Sequence, residues 1–201
     1  MITIGVTGGI GMGKSSSGRI LLELGVPTID TDDLSRRLCE PSEAGYARVR
    51  AEFGDGIISG DGTLDRVRLG RLVFSDVKAR ARLEEILHPL IHKAWRDWID
   101  GLGEGNKSAC AVLIPLLYEK GYSAEFSKVV AVGCTEATQR SRLAQRGWDE
   151  SQIAGRLHAQ WPATEKLKAS DFVVWTEGEI SSSRCQWERI LTKLGLTCCL
   201  V

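Results

Sequence analysis

The chain has 201 residues, and its 26 basic side chains are balanced by 26 acidic ones. This length suits one α/β domain with insertions. The balanced charge leaves no positive field over the molecule as a whole, which argues against a general nucleic-acid binder, so anionic ligands must be held locally.

The ends and the apolar runs of the chain bear on its location. The opening residues MITIGV lack the basic region and the long apolar core of a signal peptide, and no apolar run approaches the ~20 residues that a membrane helix needs. We therefore expect a cytoplasmic protein that does not bind membranes. A monomer or weak homo-oligomer is a separate expectation. The six cysteines show neither metal-ligand nor disulfide-framework spacing, and we expect buried or incidental thiols.

The stretch TGGIGMGKS at residues 7–15 organises the chain. It follows an apolar run at residues 2–6 and precedes a helix-compatible segment at 16–24, which is the setting of a P-loop. In such a loop, glycines let backbone N–H groups turn toward phosphate oxygens at the positive end of a helix. A glycine-rich turn that matches by chance is the alternative, and the flanking strand and helix argue against it. The motif assigns phosphate binding to Gly8, Gly9, Ile10, Gly11, Met12 and Gly13, contact with the β- and γ-phosphates of ATP to Lys14, and ligation of Mg²⁺ to Ser15.

Three acids, Asp30, Asp32 and Asp33, follow a predicted second strand at residues 26–29. In open α/β sheets ligands bind at the carboxyl ends of the strands, so an acid there is expected to face the same crevice as the P-loop. Helix N-capping by Asp30 or Asp32 is the other interpretation. Three acids in four positions exceed what a cap needs, and the residues alone leave both interpretations open.

Three further apolar runs, at residues 109–114, 129–132 and 172–175, predict strands that alternate with helices. The first is continuous and is expected to be a central strand that is buried on both faces. Trp187 and Leu191, on a predicted terminal helix at 180–194, are expected to pack onto the sheet. The pattern predicts an α/β fold with a mostly parallel five-stranded sheet.

Several polar side chains outside these runs are candidates for function. Arg142 and Arg146, four residues apart on a predicted helix at 136–146, would share one helix face; such a pair is usually solvated, but it also suits charge clamping beside a triphosphate. His88 precedes Pro89, where proline must end or kink a predicted helix, so a ligand-facing bend and a structural kink both fit. Glu119 is expected to be a solvated acid.

Five motifs, in this order, resemble those of dephospho-coenzyme A kinase over about residues 1–178: TGGIGMGKS at 7–15, IDTD at 29–32, HP at 88–89, IPLLYE at 114–119 and QxxRLxxR at 139–146. The resemblance implies a three-layer P-loop NTPase fold like that of adenylate kinase. Its parts would be a core of about residues 1–32, 107–138 and 170–201, a helical substrate-binding insertion of about 33–106, and a helical lid of about 139–169. It also implies that ATP, with Mg²⁺, phosphorylates the ribose 3′-hydroxyl of dephospho-coenzyme A.

Residue roles follow from the same resemblance. Asp32 corresponds to the catalytic acid, which also contacts the substrate, and Lys14 and Arg142 complete the catalytic set. Ser16, where the family usually has threonine, and Arg146 join the nucleotide-binding residues. Substrate contacts are assigned to Thr7, His88 and Arg156. The turn at residues 175–178 departs from the family pattern, in which an asparagine is usual after the last strand.

Two rival functions remain at this point. The first is another small-molecule P-loop kinase, such as a nucleoside monophosphate or shikimate kinase. The second is a GTP-dependent switch, which normally carries an Asn-Lys-x-Asp motif after a strand. The only Asn-Lys pair, at residues 106–107, is followed by Ser108 and Ala109, so it lacks the acid and lies before a strand.

Overall fold

The computed structural model describes residues 1–105, 107–158 and 160–196, without the side chains of residues 74, 104, 151, 156 and 158. The chain divides into two compact units, one formed by residues 1–30 together with the chain from residue 101 onward, the other by residues 31–100. The strands and α-helices within the described residues are, in chain order, β1 (Ile2–Thr7), α1 (Lys14–Glu23), β2 (Thr28–Asp30), α2 (Thr31–Leu38), α3 (Ala44–Phe53), α4 (Arg66–Ser75), α5 (Val77–Glu104), β3 (Ala109–Leu113), β4 (Lys128–Gly133), α6 (Glu136–Ala144), α7 (Glu150–His158), α8 (Ala163–Ala169), β5 (Phe172–Trp175) and α9 (Ile180–Lys193).

The first unit is built on a five-stranded sheet with the order β2-β3-β1-β4-β5. All four strand pairs are parallel, and Val6 of β1 lies opposite Leu113 of β3 and Val130 of β4. The predicted α/β fold with a parallel five-stranded sheet is confirmed. Strand β3 is an interior strand with all five residues buried, as predicted, but β1 occupies the centre of the sheet. The P-loop therefore leaves the sheet from its middle strand.

The core of this unit packs helices α1 and α9 against the sheet. Trp187 is fully buried and Leu191 is 1% exposed, in one cluster with Ile4 and Val6, so their predicted packing onto the sheet is confirmed. Helix α8 was not predicted, because its seven polar-rich residues carry too little apolar periodicity.

Helix α6 ends at Ala144, two residues before the predicted end. Gly147 adopts a left-handed backbone conformation with φ 81°, and its N–H donates to the Ala144 carbonyl at 2.9 Å. This turn closes the helix in the manner typical of glycine just beyond a helix end. Arg146 consequently lies in the turn.

The second unit is helical and has its own apolar core. Tyr46, Val49, Ile57, Leu69 and Leu87 are buried in that core together with neighbouring apolar side chains. The Tyr46 hydroxyl donates to the Gly62 carbonyl at 2.6 Å, which satisfies the polar end of a buried ring. Helix α5 is a single helix of 28 residues that continues through Pro89, so the proline of the HP motif does not end it.

Four of the six cysteines lie within the described residues. Cys39, Cys110 and Cys134 are buried and Cys185 is exposed, all four as free thiols. Cys198 and Cys199 lie outside the described residues. None of the helices in the described part of the chain is long and apolar enough to cross a membrane.

Candidate nucleotide-binding site

The loop between β1 and α1 contains three glycines, Gly8, Gly11 and Gly13, whose positive φ angles are rarely adopted by residues with a side chain. Gly8 has φ 148°, and a side-chain carbon there would lie 2.4 Å from the Val132 carbonyl oxygen. Gly13 has φ 94° and stands at the N-cap of α1. No described side chain caps this helix, and its first turn holds no acidic residue. The positive helix terminus is therefore left to an anionic ligand.

Lys14 and Ser15 begin helix α1. The Lys14 Nζ donates to the Gly8 carbonyl at 2.8 Å and to the Gly9 carbonyl at 3.2 Å, so the ammonium group lies over its own loop. Ser15 is exposed. Among the described residues, no group of three or more His, Cys, Asp or Glu side chains could hold a metal ion. A single hydroxyl fits Mg²⁺, because this ion usually keeps waters and phosphate oxygens as most of its ligands.

Two glutamines hold the peptide groups of Ile10 in the same loop. The Gln139 side-chain amide donates to the Ile10 carbonyl at 2.7 Å, and the Ile10 N–H donates to the Gln160 side-chain oxygen at 3.1 Å. Gln139 is 4% exposed. Neither glutamine was predicted as a site residue. Their only sequence signal was Gln139 opening the QxxRLxxR motif, and nothing local indicated a partner more than a hundred residues away.

Arg142 extends from α6 toward the P-loop. One of its terminal nitrogens donates to the Thr176 carbonyl at 2.5 Å, and the other donates to the Thr176 hydroxyl at 3.0 Å and comes within 3.5 Å of the Gly11 carbonyl. The prediction that Arg142 and Arg146 share one helix face is wrong, because α6 ends before Arg146, which is exposed. The structure thus brings Arg142 to the loop and leaves Arg146 at the surface.

The prediction that Glu119 is a solvated acid is wrong. One of its carboxylate oxygens lies 2.7 Å from the Lys166 Nζ and accepts the Trp161 N–H at 2.9 Å. The Lys166 side chain is 1% exposed and also donates to the Pro115 carbonyl at 2.6 Å. The buried Thr7 hydroxyl donates to that same carbonyl at 3.4 Å. Sequence could not reveal this pair, because its partners lie on separate elements.

The turn after β5 carries Thr176 and Glu177, in the stretch where the sequence departs from the motif pattern that it otherwise resembles. A carboxylate oxygen of Glu177 accepts the Thr135 N–H at 2.7 Å and also the Thr135 hydroxyl. These two hydrogen bonds, the one from the hydroxyl above all, hold the pKa of Glu177 below its ordinary value. Thr135 caps helix α6 by accepting the Thr138 N–H. The turn is therefore tied to the start of the helix that carries Arg142.

Two of the predicted site residues lie in the second unit. Asp32 is exposed in the first turn of α2, where it follows the helix start and does not precede it as a cap would. Asp33, beside it, forms an exposed ion pair with Arg36 at 2.7 Å. His88 lies inside α5, with its Nε2 3.6 Å from a carboxylate oxygen of Glu84.

Three other predicted positions lie in the first unit, and one of them, Ser16, is in the first turn of α1. Arg156 belongs to α7 in the first unit, and its side chain lies outside the described part of the structure. Asp30, the remaining acid of the predicted cluster, is the last residue of β2, at the same edge of the sheet as the P-loop.

Comparisons with known proteins place the chain in a family. The family model for dephospho-CoA kinase matches residues 2–182. A dephospho-CoA kinase of Geobacillus kaustophilus is 36% identical over 191 residues, which cover 94% of this chain and 95% of that relative. A crystal structure from Thermus thermophilus is 31% identical, with a TM-score of 0.77 and coverage of 96% of this chain and 97% of the other. The fold is also that of a dephospho-CoA kinase from Campylobacter jejuni, which is 24% identical with a TM-score of 0.70 and coverage of 96% of both chains. The family model and the long matches agree with the P-loop, the parallel sheet and the five ordered motifs, and the chain belongs to the dephospho-CoA kinase family.

Proposed function

We propose that this chain transfers the γ-phosphoryl group of ATP to the ribose 3′-hydroxyl of dephospho-coenzyme A, which yields coenzyme A and ADP. The observation that carries the proposal is the P-loop, where an uncapped helix terminus and a lysine suit a triphosphate. Family membership supports this acceptor over a nucleoside monophosphate or shikimate. It likewise argues against the GTP-dependent switch.

The phosphate end of the reaction falls to the P-loop and α6. Lys14 exchanges its loop carbonyls for the β- and γ-phosphate oxygens, since a charged acceptor binds an ammonium group more strongly than a neutral carbonyl does. Arg142, which already reaches the Gly11 carbonyl, adds positive charge where negative charge develops in the transition state. Arg146 is assigned to nucleotide binding on the resemblance alone.

A magnesium ion bound together with ATP would supply neutralisation of part of the phosphate charge. The exposed Ser15 hydroxyl is the protein group proposed to ligate it. Positioning and charge neutralisation, with little covalent chemistry by the protein, supply most of the rate in this class of reaction.

The acceptor end is assigned by the resemblance. Asp32 orients the ribose hydroxyl and accepts its proton, and its exposed carboxylate supports that role. Thr7, His88 and Arg156 are proposed substrate contacts. We further propose that residues 33–106 bind the acceptor and that residues 139–169 form a lid that excludes water. A cytoplasmic location and a monomeric or weakly oligomeric state belong to the same proposal.

A coupled assay of ADP release tests the choice of acceptor. The wild-type protein is supplied with Mg-ATP and, separately, with dephospho-coenzyme A, AMP, cytidylate and shikimate. ADP release that depends on dephospho-coenzyme A supports the proposal. Release that depends on one of the other three acceptors, with none for dephospho-coenzyme A, overturns it.

The substitution Asp32→Asn tests the acid, with Asp33→Asn as a matched control in the same helical turn. Loss of a general base lowers turnover by about 10²–10⁴-fold, while binding of a fluorescent ATP analogue should survive. Asp33→Asn removes only an exposed ion pair and should leave turnover nearly unchanged. Equal effects of the two substitutions would return Asp32 to a structural role. Loss of nucleotide affinity together with transfer would instead assign it to the metal shell.

A further inference from the structure

Thr176 lies where three parts of the first unit meet, although its position departs from the family pattern. It follows β5 directly and is 7% exposed. Its backbone N–H donates to the Gly133 carbonyl, at the end of β4, at 2.8 Å. A carbon added to Gly13 would lie 3.0 Å from the Thr176 Cγ2, so the methyl group packs directly against the P-loop at the start of α1.

The Thr176 hydroxyl lies within hydrogen-bond distance of two carbonyl acceptors and one guanidinium donor. The Met12 carbonyl, in the P-loop, lies 3.0 Å away, and the Gly133 carbonyl lies 3.2 Å away. A hydroxyl has one proton to donate. The Gly133 carbonyl already accepts the backbone N–H, so donation to Met12 satisfies one more acceptor than donation to Gly133 does. The lone pairs of the hydroxyl remain available to accept from Arg142 at 3.0 Å.

Arg142 is thereby bound to Thr176 at two points. One terminal nitrogen binds the hydroxyl and the other binds the carbonyl of the same residue. Two hydrogen bonds from a planar guanidinium group to one residue restrict both its position and its rotation. The hydroxyl links this group to the P-loop, because it accepts from Arg142 while it donates to Met12, and it adds to the direct approach of Arg142 to the Gly11 carbonyl at 3.5 Å.

We infer that Thr176 is a positioning residue for phosphoryl transfer, which holds the Arg142 guanidinium in register with the P-loop. This inference rests on the proposed function. It adds Thr176 to the residues that serve phosphoryl transfer, a role that the resemblance did not assign to it. A misplaced charge loses much of its effect on the transition state, since catalysis depends on donors that are already in place. Thr176 itself has no contact with the reacting atoms in this scheme and acts through Arg142.

The substitution Thr176→Val keeps the shape and removes the hydroxyl. The carbonyl bond to Arg142 survives, so we expect kcat to fall by about tenfold, the lower end for loss of a hydrogen bond to a charged group, with a smaller change in KM for ATP. Thr176→Ser should recover most of that loss. Thr192→Val removes a hydroxyl that donates to the Glu188 carbonyl on the exposed face of α9, and it controls for hydroxyl loss as such. Thr176→Ala is the second variant if valine prevents folding.

A double-mutant cycle with Arg142→Ala separates positioning from general support of the fold. If Thr176 acts through Arg142, the kcat loss of Thr176→Val should largely disappear in the Arg142→Ala background. Multiplicative losses in the double variant would overturn the inference, and so would a Thr176→Val kcat equal to that of the wild type. The unfolding midpoint of each variant is measured in parallel, so that partly unfolded protein does not count as lost kcat.

A measurement that needs no acceptor keeps this inference separate from the proposed function. In ¹⁵N-labelled wild-type protein, rotation of the doubly bound Arg142 guanidinium should be slow, and Thr176→Val should accelerate it. An unchanged rotation rate in Thr176→Val would overturn the inference. If the wild type fails to phosphorylate dephospho-coenzyme A, the proposed function falls, while the rotation rate still decides whether Thr176 holds Arg142.

Discussion

Lys166→Met removes the cation of the buried Glu119 pair and keeps a side chain of similar length. In the wild type the ammonium group binds a carboxylate oxygen of Glu119 at 2.7 Å and the Pro115 carbonyl at 2.6 Å. After the substitution the carboxylate, whose side chain is 14% exposed, keeps only the Trp161 N–H among these partners. Its second oxygen is buried and has no hydrogen-bond partner among the described residues. The variant therefore leaves the Glu119 carboxylate largely desolvated and without its cation.

The expected cost follows from that desolvation. Removing one partner of a buried pair costs about 3–5 kcal/mol, because the remaining charge is neither solvated nor compensated. For a protein of this size, about 1 kcal/mol corresponds to about 2–4 °C in the unfolding midpoint, so the midpoint should fall by about 6–20 °C. Removal of both charges, in Lys166→Met with Glu119→Leu, should restore much of the loss, since an apolar pair often replaces a buried ion pair without net cost.

Denaturant unfolding followed by circular dichroism measures these free energies. Lys168→Met is the matched control, because Lys168 lies on the same helix, is 75% exposed and pairs with Glu165 at 3.0 Å. An exposed pair contributes at most about 1 kcal/mol. The reasoning is refuted if Lys166→Met destabilises the protein no more than Lys168→Met does. It is also refuted if the double variant is less stable than Lys166→Met alone.

Three further predictions concern the pH dependence of stability, thiol reactivity and the P-loop. The lowered pKa of Glu177 stabilises the fold above the ordinary pKa of a glutamate, and this contribution is lost as the pH falls through the lowered value. The difference in unfolding free energy between wild type and Glu177→Gln should therefore shrink on acidification. A difference that stays constant with pH would contradict this prediction. Iodoacetamide should alkylate the exposed Cys185 before Cys110, because burial raises the pKa of Cys110 to about 11; peptide mapping by mass spectrometry checks the order, and earlier labelling of Cys110 would contradict it. Gln160→Leu deprives the Ile10 N–H of its acceptor, so kcat/KM for ATP should fall by about tenfold in steady-state kinetics, and unchanged kinetics would show that the loop does not need this hydrogen bond.

The boundaries of β5 and the P-loop could be predicted because their causes are local, whereas β2, which was predicted at residues 26–29, spans Thr28–Asp30. The four residues of β5 are those of the predicted run, since a continuous apolar segment between polar turns has few other ways to be buried. The loop from Gly8 to Lys14 could also be predicted, because its backbone conformation depends on glycines at particular positions and on the adjoining strand and helix. The predicted end of α6, at residue 146, is wrong by two residues, because the left-handed turn at Gly147 ends the helix at Ala144.

The amino-acid sequence by itself determined the fold class, the order of the strands along the chain and the phosphate-binding loop, since each depends on residues that are near neighbours in the chain. Only the tertiary structure decided which distant side chains meet. Glu119 pairs with Lys166, and Arg142 binds Thr176, because parallel strands deliver their carboxyl ends to one edge of the sheet and bring separate connections together there. A local sequence pattern indicates whether a side chain is polar and on which face of its element it lies. The partner of that side chain depends on how the strands are ordered across the sheet.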